Sequence, residues 1–374
     1  KGWLYMKKHI KLLVVLGIIL VGSFSFYLFK DYKKDTVVYE NNKIKPSSSG
    51  IAMMLETAAG SGNYEMTTRS EWPTEGYVFN ANLSKCENGS ELSWDNENKK
   101  VLMSGNKSDK CYVYFDKFVS LAEYVKSLYT GTQGENGIYY HDASLTNGAG
   151  DNSYRYSGDE SGVKNYICIN SSDATCPDDN LFRIIGVFNG NTKVIKASSY
   201  GSTIAWHSKD TGTWADSSLN TTLNSTYLNT YLSEIKNKIV DVTWNVGVLN
   251  DSSYTAKNAY TAEISQTYSS AKIGLITVSD YLYTLIPDTW TTSSSSLSNF
   301  SSWMSSNEND WTLNIYDAMG SKYIAWVINE SGNAEGASGY ITFKFGYARP
   351  VFYLDSTVNY VEGTGISSDP IRIN

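Results

Sequence analysis

The sequence predicts an α+β ectodomain carried behind an N-terminal transmembrane helix, and three observations predict it. Eighteen uncharged residues, Leu12 to Phe29, follow the lysines Lys7, Lys8 and Lys11. The remainder of the 374-residue chain is rich in short apolar runs of strand length separated by turn residues, with a few helical stretches between them. Four cysteines fall into two local pairs, Cys86 with Cys111 and Cys168 with Cys176.

At about 1.5 Å per residue the run 12–29 reaches roughly 27 Å, which matches the hydrocarbon thickness of a bilayer. Lysines on its leading side keep that end in the cytoplasm and send everything after Lys30 outside. A cleaved signal peptide is the alternative, with Ser23-Phe24-Ser25 as a small-x-small site. No cysteine follows the run to accept a lipid, and the Gly-Phe-x-x-x-Glu pattern of type IV pilins is missing. Met6, ahead of Lys7-Lys8, is a candidate start. Residues 30–72, charged and then Pro/Ser/Gly-rich, read as a juxtamembrane stalk, with a short apolar patch at Ile51 to Leu55.

Composition excludes some functions. A net charge of −7 and no basic cluster beyond the membrane flank argue against a nucleic-acid partner. With 29 tyrosines and 10 tryptophans there is enough aromatic area to build a core. An external compartment permits the cysteines to oxidise, and the chain has no CxxC and only three histidines, so disulfides are expected rather than zinc. Asp95-Asn96-Glu97-Asn98 lacks the glycine and distal glutamate of an EF-hand loop and reads as a hairpin turn. No cofactor or metal is expected.

Residues 73–117 read as a small β domain. Its strands are Tyr77-Val78-Phe79, Leu92 to Trp94, Val101 to Met103 and Cys111 to Phe115, and its small size makes a disulfide valuable. Residues 118–374 form the large domain. It opens on a helix over 121–129 capped by Ser120, and continues in strands that include 138–141, 154–156, 166–169, 181–188 and 194–197. Asn189-Gly190 marks a tight hairpin. Spacings of three and four from Leu219 through Ile235 predict a helix capped by Asp216 or Ser217 and strongest over 227–240. Strands at 242–248 and 273–278 and a short helix near 280–285 follow. The Ser/Asn-rich stretch 291–310 reads as loop, before closing strands at 323–328, 340–345 and 349–354 and one near Ile371.

In combination, Asp179-Asn180-Leu181-Phe182-Arg183-Ile184-Ile185-Gly186-Val187-Phe188, Ala271 to Tyr281 and Ala348-Arg349-Pro350-Val351-Phe352-Tyr353-Leu354 resemble an uncharacterised family of secreted and phage-linked domains from Gram-positive gut bacteria. The segment from Pro73 to Asp116 resembles one that precedes such domains. That resemblance implies a C-type-lectin-like large domain, similar to the variable proteins of diversity-generating retroelements and to formylglycine-generating enzymes, whose long loops form an exposed binding face. Two functions do not carry over. The Glu-Pro-Asn and Gln-Pro-Asp tripeptides of calcium-dependent sugar binding are absent, and Trp244-Asn245 is followed by Val246. The late cysteine pair of the formylglycine-generating enzymes is absent too, since no cysteine follows Cys176.

Catalytic patterns are missing as well: no GxSxG, Walker loop, HExxH or GxGxxG occurs. His141 and His207, the histidines outside the membrane flank, read as structural or surface groups. Gly332 to Gly339 reads as turn geometry between strands. Binding is therefore expected rather than enzymatic activity, of an extracellular glycan or protein. A structural role in envelope assembly is the runner-up, and a glycan-acting hydrolase comes third. The aromatics Trp303, Trp311, Tyr316, Tyr340 and Tyr347 are the candidate ligand contacts, because Trp and Tyr join large contact area to a polar tip. Trp326, within the apolar strand Ile324 to Val327, reads as core.

Overall fold

Apolar residues at every second position bury one face of a strand, and that period dominates the chain. The computed structural model describes residues 36–38 and 50–374, apart from 60, 70, 74–75, 107, 172, 211–212, 247, 266 and 319–321. The expected transmembrane run 12–29 lies outside the described residues. Among the described residues no helix is long and apolar enough to cross a membrane. The chain divides into two units, Lys1–Phe118 and Val119–Asn374.

In the first unit Ile51, Met53 and Leu55 alternate inward along Ile51–Glu56, as do Cys111, Val113 and Phe115 along Cys111–Lys117. These two strands pair in parallel at the centre of one sheet, with Tyr64–Met66 on one side and Tyr77–Phe79 and Lys85–Cys86 on the other. The segment read as stalk therefore supplies three strands of this unit, Thr36–Val38, Ile51–Glu56 and Tyr64–Met66. A second sheet runs Thr36–Val38, Lys100–Ser104, Glu91–Asp95. Val101 and Met103 from it join Trp72 and the first sheet's inner residues in one apolar cluster.

Both disulfides form as local pairs. Cys86 and Cys111 face each other in register across neighbouring strands, and Cys168–Cys176 closes a short loop. Such bonds persist in oxidising compartments and mark an extracellular or secreted protein. The apolar cluster around Cys111 is small. Replacing Cys86 and Cys111 together by serine is thus expected to destabilise this unit by about 3 kcal/mol, the loop-closure contribution for a 25-residue separation. An unchanged denaturant midpoint for the unit's tryptophan fluorescence would count against that contribution.

The second unit is built on a sheet whose main path runs Ile273–Gly274, Val351–Leu354, Asn191–Lys196, Leu181–Phe188, Tyr166–Cys168, Ile371–Ile373, Asn359–Glu362 and Val119–Ser120. Pairing along it is antiparallel except between Tyr166–Cys168 and Ile371–Ile373. Ser153–Tyr156 pairs with the far end of Leu181–Phe188, and Ile138–His141 pairs with Ser153–Tyr156. A five-stranded sheet follows the order Tyr200–Ile204, Gly346–Ala348, Asp310–Ala318, Lys322–Ile328, Ala334–Tyr340. Val242–Asn245 and Thr267–Ala271 form a two-stranded ribbon.

The expected α+β class is corrected to mostly β: strand accounts for 35% and helix for 17%. Ala256–Ile264, at nine residues, is the longest α-helix among the described residues. The helix expected over 227–240 is cut short. Helical structure enters at Ser218–Thr221, passes through a π-turn at Thr222–Tyr227 and ends with Leu228–Tyr231. Beyond it Ile239 bridges Leu354, and the Val240 N–H donates to the Tyr353 carbonyl at 2.9 Å. Pairing with a sheet edge thus overrides the helical period there. Local signals hold where they are strongest. Ser120 caps Leu121–Ser127 by accepting from the Glu123 N–H at 3.2 Å. Asn189 and Gly190 take φ of 48° and 81° in their hairpin.

Candidate functional site

Buried charged residues identify the site. Arg155 lies on Ser153–Tyr156, Lys193 on Asn191–Lys196, Glu263 in the last turn of Ala256–Ile264 and Asp280 in Val278–Leu282. All four are buried, and with Asp151 they line a cavity of about 240 Å³.

Each cation sits against a carboxylate and among aromatic rings. Arg155 Nη2 donates to Asp151 Oδ2 at 2.6 Å and its Nε to Ser153 Oγ at 2.8 Å. Its guanidinium stands 4.7 Å from the Phe188 ring centre, 4.9 Å from that of Tyr283 and 5.4 Å from that of Tyr260. Lys193 Nζ donates to Asp280 Oδ2 at 2.6 Å and lies 5.3 Å from the rings of both Phe188 and Tyr353 and 5.7 Å from Trp244. Such rings offer their negative faces to desolvated cations.

The acidic groups are tied to structural donors. Thr277 and Asp280 form a capping box at the start of Val278–Leu282, so the Asp280 carboxylate also accepts the Thr277 N–H at 3.0 Å. Glu263 accepts the Ser279 N–H at 2.9 Å and the Ser279 hydroxyl. Burial pushes the Glu263 carboxyl up to about 7, against the lowering effect of the Ser279 hydrogen bonds and with the help of the Asp280 charge. Asp151 goes the other way. Against the cost of its burial, the Arg155 charge and the Ser153 donors hold it at about 2.

One donor of the cluster is unpaired. Arg155 Nη1 is buried and has no hydrogen-bond partner. Towards solvent the cavity is lined by Asn189, Asn191, Thr243 and Asn245, of which Asn189 and Thr243 are exposed. The cleft thus has buried, paired charges at depth and amides and a hydroxyl in its outer lining, which suits a small polar group. Among the described residues no group of three His, Cys, Asp or Glu side chains is placed to hold a metal.

The five aromatics expected to contact ligand do not line this cavity. Trp303 and Trp311, expected in an exposed loop, are 2% and 1% exposed. The Trp303 indole N–H donates to the Tyr156 carbonyl at 3.1 Å and that of Trp311 to the Ile204 carbonyl at 2.7 Å, so both polar tips are satisfied internally. Tyr316 is half-buried against the core, and Tyr347 is half-buried. Tyr340 is exposed, with Phe343 at 5.3 Å between ring centres. Trp326 is fully buried and donates to the Leu249 carbonyl at 3.1 Å.

His141 and His207 lie inside the fold. His141 Nδ1 accepts the Ala149 N–H at 3.1 Å while its ring packs on Tyr283 and Trp290, and burial, with the Arg155 charge, lowers it to about 2. His207 Nδ1 accepts the Ser218 N–H at 3.1 Å, and burial lowers it too. Sequence reasoning missed Arg155, Lys193, Glu263 and Asp280. Lys193 and Asp280 carried one signal, charge within or beside apolar runs, as in Lys193-Val194-Ile195 and Ile276-Thr277-Val278-Ser279-Asp280-Tyr281; Arg155 and Glu263, in polar surroundings, carried none.

No protein-family model matches the chain, and neither a curated protein nor a solved structure matches it. The resemblance to a lectin-like family therefore rests on the quoted segments alone.

Proposed function

We propose that this chain is an extracytoplasmic recognition protein, held to the membrane by residues 12–29, whose larger unit binds a sugar of a surface glycan in the Arg155 cleft. The cleft itself carries the proposal: about 240 Å³ of concave space with amides and a hydroxyl in its lining, over a buried cluster of paired charges. A concavity of this size fits a sugar-sized group better than the flat face of a protein partner. Binding is favoured over catalysis because Asp151, Asp280 and Glu263 are each engaged by donors that also shape the fold.

Thr243 provides the test. It is exposed at the cavity lining, so Thr243→Trp places bulk over the opening without touching the core. On a glycan array the full chain is expected to bind a subset of sugars, and Thr243→Trp is expected to lower that affinity by about tenfold or more. An array with no signal, or a signal that Thr243→Trp leaves intact, would remove the cleft from consideration. Self-association without array signal would favour an assembly protein instead.

A further inference from the structure

We propose that Lys193 and Asp280 condense to an isopeptide bond, Nζ to Cγ, which ties the strand Asn191–Lys196 to the helix Val278–Leu282. This goes beyond glycan recognition and does not depend on it. Two groups able to react already touch. Lys193 Nζ stands 2.6 Å from Asp280 Oδ2, and the two side chains are 5% and 4% exposed. They lie 87 residues apart in the chain, so it is the fold that brings them together. Other ion pairs differ in chemistry or in setting. Lys196 meets Asp179 at 3.6 Å, but that carboxylate is exposed, and Lys126 pairs with an exposed Glu123. Arg155, Arg183 and Arg349 present guanidinium groups, which do not give up a proton to become nucleophiles.

The surroundings favour condensation. The rings of Phe188, Trp244 and Tyr353 stand around Nζ, and an ion pair stripped of water in this way is costly to keep charged. A proton passing from Nζ to the carboxylate along their hydrogen bond leaves a neutral amine beside a neutral acid. Burial presses Lys193 towards the amine, while the Asp280 charge outweighs it and holds the ammonium, so the ion pair is the resting form. From the neutral pair Nζ adds to Cγ, the N–C bond forms, one C–O bond breaks, and that oxygen leaves as water. An ammonium and a carboxylate thus become an amide and one water, with no oxidant or activating group required. Holding both groups in one geometry replaces the encounter that makes the same reaction slow in solution. Glu263, set to about 7 by burial and bonded to Ser279 next to Asp280, adds a proton donor and acceptor to the same cavity. That cavity is lined by both reacting residues and by exposed Asn189 and Thr243, so the released water has a way out.

Mass spectrometry of the full chain tests this. After incubation at neutral pH the chain is unfolded, reduced and digested. The digest is expected to hold a branched peptide joining the segments around Lys193 and Asp280, one water lighter than the two together, in place of the separate peptides. Lys193→Arg keeps a cation against Asp280 but cannot condense, and its digest is expected to hold the Asp280 peptide unbranched and at full mass. Should that variant not fold, the branched peptide of the unaltered chain decides by itself. Separate, unmodified Lys193 and Asp280 peptides from the unaltered chain overturn the bond. So does a loss of water from the Asp280 peptide that persists in Lys193→Arg, which would place it within that segment. Neither result touches glycan recognition, which the array decides separately.

Discussion

Replacing Gly186 by alanine is expected to cost the larger unit about 3 kcal/mol or more of stability and to dislodge Arg155 from the cleft. A Cβ at Gly186 would stand 2.1 Å from the Tyr154 carbonyl oxygen and 3.0 Å from the Arg155 Cα. Both are backbone atoms, so no side-chain rotation relieves the clash. Leu181–Phe188 changes register between Ile184 and Gly186, and beyond that irregularity Gly186 pairs directly with Arg155. The absent side chain is what lets Ser153–Tyr156 lie against the bulged strand. Its separation would displace Arg155 Nη1 and expose the ring of Phe188 beneath it. A lowered denaturant midpoint, with faster amide exchange across Ser153–Tyr156, is the expected result. A midpoint equal to that of the unaltered chain would show that the approach is less tight than described.

The second large effect is on stability against pH, where two buried groups oppose each other. Glu263 titrates near 4.5 when unfolded and at about 7 in the fold, so the folded state binds the extra proton between those values. Its contribution is full below pH 4.5 and is lost as pH rises through 7, a change of roughly 3 kcal/mol. His141 is lowered from 6.5 to about 2, so here the unfolded state binds the extra proton. Its contribution is full above pH 6.5, and roughly 3 kcal/mol of it is lost by pH 4.5. Asp310, raised by burial, adds to the first trend, and His207, lowered by burial, adds to the second. Between pH 4.5 and 6.5 the opposing slopes largely cancel.

Glu263→Gln keeps an acceptor for the Ser279 N–H and removes one slope. Its stability is expected to rise with pH from 4.5 to 6.5, whereas His141→Asn is expected to give a stability that falls with pH across the same window. Urea unfolding at half-unit pH steps reads both. Parallel profiles for the two variants and the unaltered chain would mean that neither group titrates in this way.

What the sequence made legible was local. Ser120 as a cap, Asn189-Gly190 as a turn and the two cysteine pairs each involve residues a short distance apart, where backbone stereochemistry or loop closure decides the outcome. The site was not legible, because Asp151, Arg155, Lys193, Glu263 and Asp280 meet only through the order of the strands and the docking of two short helices. The misplacement of Trp303 and Trp311 has a specific cause. Their Ser/Asn-rich surroundings suggest solvent, yet Ser294 is fully buried and Ser302 nearly so, with its hydroxyl 2.5 Å from that of Thr284. Hydroxyl-rich chain can be packed inside when its polar atoms find partners.

The place of Ile371–Ile373 has a consequence for how the larger unit folds. This strand lies between Tyr166–Cys168 and Asn359–Glu362, in parallel with the former. Its partner Tyr166–Cys168 is some two hundred residues upstream, so closing the sheet requires a long-range pairing of the slow-forming kind. Until Ile371–Ile373 inserts, the facing edges of Tyr166–Cys168 and Asn359–Glu362 are unpaired, and open strand edges invite contact with other chains. The larger unit is therefore exposed to aggregation until this one strand is in place.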